Sequence, residues 1–132
     1  MRIGLFDRVP SLTGFADDLR AAADAGLGSY WVTQAFGTDT LTVLATLARD
    51  VELRIGTAVV PTYPRHPMVL AQQALTTNLL LGGRLALGIG PSHPTVVGPC
   101  WGLSYDRPAR HTVRTDLRRG MLVQLECIAV VR

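Results

Sequence analysis

The chain alternates short apolar runs with longer stretches whose apolar residues recur at helical spacing. Residues 2–6 read as a strand. Phe15, Leu19, Ala22 and Ala23 then fall at i, i+4, i+7 and i+8, one stripe of a helix. Gly26 stands where such a helix ends on a left-handed residue. Residues 29–32, Ser-Tyr-Trp-Val, are rich in β-favouring side chains and predict a second strand. Asp39 or Thr40 can cap a second helix with Leu41, Leu44, Ala45 and Ala48 on its inner face. Residues 53–60 are mostly apolar, as a third strand covered on both faces should be. A proline-rich loop from Pro61 to His66 leads to Pro67, suited to the first position of a third helix that runs to Gly82 and Gly83. Its inner face is expected to be Val69, Leu70, Ala74 and Leu75. Residues 84–89 predict a fourth strand, residues 90–105 a long loop of glycines and prolines, and a further helix is expected from near Pro108.

Strands alternating with helices imply parallel strands joined by right-handed crossovers. An open doubly wound sheet and a closed barrel both satisfy this. Length favours the open sheet, because 132 residues fall well short of the roughly 250 that a (β/α)8 barrel takes. The connections are short, so the units are read as one domain.

Composition excludes a disordered chain, since 48% of residues are hydrophobic. Charge is more informative. All 13 basic residues are Arg, and six of them lie in residues 107–132 beside only two acids. The net charge of +3 therefore comes from the C-terminal fifth, and the body of the chain carries no basic face for nucleic acid. Cys100 and Cys127 make no disulfide framework, which points to the reducing cytoplasm. Asp7 and Arg8 interrupt any signal-peptide core. Of two charge-free stretches, residues 66–83 are made two-faced by Gln72, Gln73, Thr76, Thr77 and Asn78, and residues 85–105 are broken by Pro91, Pro94 and Pro99. Neither reads as a membrane span.

The segment from Gly88 to His93 imitates a dinucleotide fingerprint, but His93 stands where a third glycine is required. Pro94 and Pro99 are also expected to prevent the helix that must follow. Two readings of this segment stay open. Gly88 and Gly90 either allow close strand packing and a tight exit turn, or let backbone approach a planar ligand at the C-terminal end of the strand. The segment from Pro61 to Pro67 reads as a rigid loop, with Arg65 and His66 as surface residues or a helix cap. His66, His93, His111 and Cys100 lack metal-ligand spacing, so no metal site is expected. No nucleophile elbow or phosphate-binding loop stands in the sequence. Tyr30 and Trp31 read as packing residues.

Taken in order, residues 30–37 (YWVTQAFG), 56–67 (GTAVVPTYPRHP), 83–93 (GRLALGIGPSH) and 102–108 (GLSYDRP) resemble the bacterial luciferase-like monooxygenase superfamily. Within it they resemble the F420-dependent oxidoreductases, over about residues 1–113. The resemblance implies a (β/α)8 barrel in place of the open sheet, here truncated to about four βα units with strands in sequential order. It implies hydride transfer between a deazaflavin, or FMN in relatives, and a small organic substrate at the C-terminal mouth of the barrel. Carried over by position, it implies a bulge with a cis peptide at Ala58–Val59 that backs the cofactor ring. It implies a cofactor or substrate contact at Gln34 and ring contacts from Gly90, Pro91 and Ser92. Histidine is the side-chain type suited to acid/base work at neutral pH, and His93 is the histidine of that loop, which makes it the candidate acid/base.

Residues 1–113 are thus expected to form a luciferase-like N-terminal half-barrel. Residues 114–132 depart from the family pattern, because Gly120 sits mid-stretch and residues 127–131 make an apolar end. A divergent tail from truncation or a frameshift is expected there. In a half-barrel the concave face, assigned to Ile3, Leu5, Ile55 and Leu85 or Leu87, lies open with both edge strands, which favours a homodimer through those edges. The alternative is a non-catalytic remnant that self-associates. The partner expected is a small-molecule substrate, with neither nucleic acid nor membrane.

Overall fold

The elements follow the pattern, but two strands are interrupted. The computed structural model describes residues 3–7 and 12–106. In chain order its elements are β1 (Gly4–Asp7), α1 (Phe15–Asp24), β2 (Ser29–Val32), α2 (Thr40–Leu47), β3 (Arg54–Thr57), β4 (Val60–Pro61), α3 (Pro67–Leu80), β5 (Leu85–Ala86), β6 (Ile89–Gly90) and α4 (Pro94–Trp101). One parallel sheet has the order β1-β2-β3-β5, and β4 pairs with β6 in a second, also parallel. The expected sequential order is present, with the third strand split into β3 and β4 and the fourth into β5 and β6.

Between β3 and β4 the Ala58–Val59 peptide is cis, as the resemblance implied. Buried backbone groups at the interruption still need partners, and a side chain supplies some of them. The buried Thr57 hydroxyl donates to the carbonyl of Gly88 (2.8 Å) and accepts from its N–H (2.9 Å). The Ala58 N–H donates to Val32 O (2.8 Å), Val60 N–H to Gly88 O (2.9 Å) and Thr62 N–H to Gly90 O (2.9 Å). Two glycines permit this approach. A Cβ at Gly88 would overlap the Thr57 carbonyl oxygen, and one at Gly90 would lie 2.7 Å from Val59 Cγ2.

Register places Leu5, Tyr30, Ile55 and Leu85 in one row across the sheet. Tyr30 meets Phe15 of α1 edge-on, ring centroids 5.8 Å apart. Tyr30, Ile55, Leu85 and Leu87 share one buried cluster with Leu19, Leu41, Leu44 and Leu70 of the helices. That row therefore faces the helices, which corrects the assignment of Leu5, Ile55 and Leu85 or Leu87 to the concave face. The opposite row is Phe6, Trp31, Gly56 and Ala86. Trp31 lies over Gly56, where a Cβ would overlap the indole ring. Small residues at 56 and 86 leave room for an aromatic, so the large aliphatics turn the other way.

Both expected caps are present. The Asp39 carboxylate accepts from Thr42 N–H (2.8 Å), and His66 Nδ1 accepts from Met68 N–H (3.2 Å) ahead of Pro67. On α3 the buried stripe is Leu70, Ala74 and Thr77, at i, i+4 and i+7, while Val69 and Leu75 flank it and are exposed, a second correction. The third concerns α4, which occupies part of the expected loop. Pro94 sits at its first position, where the missing N–H has no helical partner to lose, so it starts the helix instead of preventing it. The helix expected near Pro108 and the tail at 114–132 lie outside the described residues. Among the described residues no helix is long and apolar enough to cross a membrane.

Candidate functional site

The C-terminal ends of the strands bring together the β2 exit, the β3–β4 junction, the β6 exit and α4. Between them lies a cavity of about 230 Å³ lined by Thr33, Gln34, Ala35, Phe36, Val59, Pro61, Ser92, His93, Val96 and Trp101. A second cavity of about 320 Å³ adjoins it, sharing Gln34, Ala35, Phe36, Pro61 and Trp101 and adding Gly37, Pro64 and Arg65. Apolar walls with a few convergent polar groups are the usual make-up of a small-molecule site. A larger groove of about 750 Å³ runs between α2 and α3, but among the described residues its lining holds no titratable side chain besides Arg49. The groups able to do chemistry converge at the strand ends, and there the candidate site lies.

Of the residues singled out in the sequence, Gln34, Val59, Ser92 and His93 line the smaller cavity. Ala58, Gly90 and Pro91 do not. Ala58 is tied to Val32 behind Val59, Gly90 packs against the Val59 side chain, and Pro91 is half-buried in the exit loop. His93 precedes α4. Its carbonyl accepts from Val96 N–H (3.0 Å) and Val97 N–H (2.9 Å), while its imidazole makes no capping bond and borders the cavity. Ser92 has φ +63°, an uncommon conformation for a residue with a side chain. Its carbonyl accepts from the Tyr105 hydroxyl (3.2 Å), and Tyr105 stacks on Tyr63 with centroids 5.2 Å apart. The proline-rich loop and the segment after α4 thus brace the turn that presents Ser92 and His93.

Arg65 was read as a surface residue or part of a cap, and the structure makes it the centre of a polar cluster. Its side chain is only 14% exposed. Nη2 donates to Gln34 Oε1 (3.0 Å) and to the Asp39 carboxylate, and Nη1 donates to Gln73 Oε1 (2.5 Å). Gln73 Nε2 in turn donates to Asp39 Oδ1 (2.5 Å). Burial pushes the Asp39 carboxyl up, but hydrogen bonds from Arg65 and Thr42 and the guanidinium charge outweigh it and hold the group below its ordinary value. Arg65 stands 31 residues from Gln34 and 26 from Asp39, so no local pattern in the chain could reveal the cluster.

The luciferase-like monooxygenase family model matches residues 4–113. The chain belongs to that family. Over 98 residues, 74% of its length, this luciferase-like chain is 37% identical to a Mycobacterium tuberculosis protein named for coenzyme F420-dependent oxidoreductase activity. Over 97 residues, 70% of its length, it is 30% identical to 5,10-methylenetetrahydromethanopterin reductase of Methanolobus tindarius. It covers 28% and 29% of those two proteins, so it spans under a third of the curated relatives it matches. Among solved structures, the coenzyme F420-dependent tetrahydromethanopterin reductase of Methanopyrus kandleri superposes with a TM-score of 0.69 at 24% identity, over 81% of this chain and 31% of that one. An F420-dependent secondary alcohol dehydrogenase gives 0.70 at 19% identity, over 83% and 37%. These likenesses carry the fold: the parallel α/β unit covers part of a (β/α)8 barrel, not the open sheet that length favoured.

Proposed function

We propose that this luciferase-like chain forms the deazaflavin-binding end of an F420-dependent oxidoreductase, which moves a hydride between the cofactor and a small organic substrate. The observation that carries the reading is the convergence of Gln34, Val59, Ser92 and His93 on one largely apolar cavity at the strand ends. The 37% identity to an oxidoreductase named for coenzyme F420 supports it. The residues present suit a flat conjugated ring. Val59, Pro61 and Trp101 offer apolar walls, and Gly90 lets β6 lie close against Val59 so that this wall is continuous.

When bound, the deazaflavin supplies or accepts the hydride. Val59, with Gly90 packed against it, would back the ring, and Gln34 and Ser92 would hold it in place, while Ala58 and Pro91 act only through the backbone that presents Val59 and Ser92. Phe36, Val96 and Trp101 complete the apolar border of the cavity. A hydride delivered to a carbonyl or neutral imine carbon requires a proton at the heteroatom, and the His93 imidazole at the cavity edge would give it, or take it in the reverse direction. The exposed free thiol of Cys100 is in keeping with a reducing cytoplasm.

The test is equilibrium titration of the purified protein with F420, FMN and NADPH in separate experiments. Saturable binding of F420, weaker binding of FMN and none of NADPH is expected. FMN is the informative competitor, because a structural neighbour at 17% identity holds it. Tighter FMN than F420 would move the reading to a flavin enzyme, and no saturable binding of either would remove it.

A further inference from the structure

We infer that Arg65 is a positioning residue that holds the Gln34 carboxamide with its oxygen tied back, so that its nitrogen remains as the donor for a ligand carrying a hydrogen-bond acceptor at that wall. The inference rests on the site reading proposed above and adds to it the polarity of one wall.

A guanidinium has donors and no acceptor. The Gln34 atom that meets Arg65 Nη2 at 3.0 Å is therefore the carboxamide oxygen, an assignment that the chemistry decides. Gln34 lines both cavities, and its backbone N–H donates to Val59 O (3.2 Å), which anchors it beside the cis peptide. With the oxygen engaged, the NH2 group is what this side chain has left for a ligand. The acceptor it meets is of the carbonyl or ring-nitrogen kind.

Arg65 is itself held from two helices. Asp39, at the start of α2, accepts from it and also from Thr42 N–H (2.8 Å) and Thr42 O–H (2.7 Å). Gln73, on α3, accepts from Nη1 and donates to Asp39. A planar fork engaged by three side chains cannot turn without losing several charge-assisted bonds. A lysine ammonium, a compact point donor, does not reproduce that fork. The start of α2 and the middle of α3 thus fix an amide at the exit of β2.

The experiment is ¹⁵N NMR of the Gln34 side-chain amide, identified by its loss in Gln34→Glu, with F420 titration of the same variants. The wild-type amide is expected to be ordered. It is expected to become mobile in Arg65→Lys and in the double variant Arg65→Met/Asp39→Asn, which removes both charges together. Unchanged backbone amide positions in α1 report that each variant is folded. Gln34→Glu keeps an acceptor for Arg65 but loses the donor, so F420 affinity is expected to fall about tenfold. An amide equally ordered in both Arg65 variants would overturn the positioning role whatever F420 does. Gln34→Glu binding F420 as tightly as wild type would overturn the donor assignment. Should wild type bind no F420, the proposed function fails by itself, and the amide dynamics still decide the role of Arg65.

Discussion

Replacing Gly90 by Ala asks whether β6 lies against Val59 as closely as the geometry requires. The added methyl would sit 2.7 Å from Val59 Cγ2, 3.6 Å from its Cβ and 3.9 Å from Cγ1. Carbon atoms normally rest about 3.5–4.0 Å apart. Gly90 does not occupy the left-handed region, so Ala is allowed by the backbone and the penalty is one of packing. Overpacking of this kind costs about 1–3 kcal/mol, offset by about 0.4–1 kcal/mol from a less flexible unfolded chain. A net loss of about 1–2 kcal/mol lowers the melting midpoint by about 4 °C per kcal/mol in a chain of 132 residues. Val59→Ala removes the colliding methyls, and in that background Gly90→Ala should be stabilising by about 0.4–1 kcal/mol. The double-mutant cycle then shows a coupling of about 1–3 kcal/mol. Gly88→Ala is the control. Its Cβ meets a carbonyl oxygen of Thr57, which cannot swing aside as a methyl can, so Val59→Ala should not rescue it. Urea denaturation of the variants measures all of this. Additivity of Gly90→Ala and Val59→Ala, with coupling below about 0.5 kcal/mol, would refute the packing argument.

Asp39 titrates below its ordinary value in the folded chain, so its contribution to stability is complete above the unfolded carboxyl pKa near 4 and is lost as pH falls through the folded value. The stability gap between wild type and Asp39→Asn should therefore narrow between pH 7 and pH 3 in urea melts, and a gap independent of pH would contradict the assignment. His93→Ala should lower turnover by about 10²–10⁴ while leaving F420 affinity nearly unchanged; parallel loss in both would make His93 a contact residue only. β1 is an edge of the four-stranded sheet and exposes Phe6 (57%) and Leu5 (41%). We propose that the 132-residue polypeptide self-associates through this edge. Light scattering should show a mass that rises with concentration and falls in Phe6→Asp, and a monomer mass at every concentration would count against it.

Periodicity sufficed where one stripe was apolar and its neighbours polar. On α1, Phe15, Leu19 and Ala22 could be read directly, and they are buried. On α3 it failed, because Val69, Leu70, Ala74, Leu75, Leu79 and Leu80 surround the helix and leave no single apolar face to choose. The interruption at residues 58–59 left no trace in the hydrophobic pattern, since the run from residue 53 to 60 stays apolar across it, and only the resemblance carried it. Pro94 and Pro99 hide α4 in the sequence, since both read as helix breakers, whereas Pro94 is its first residue and Pro99 lies inside it. Gln34, Val59, Ser92 and His93, to which the resemblance pointed, line one cavity. The cluster of Asp39, Arg65 and Gln73 was not legible. Their association comes from packing α3 against α2, which brings together residues 26 and 34 apart in the chain.

Chemical-shift mapping with F420 shows whether the cavity at the strand ends receives the deazaflavin ring, as proposed. Backbone and side-chain signals of uniformly labelled protein would be followed through a titration to saturation. Gln34, Val59, Ser92 and His93 should move together with one dissociation constant, while Thr46 and Thr76 in the groove between α2 and α3 stay in place. Movement confined to that groove, or strand-end signals unmoved by saturating F420, would contradict the proposal.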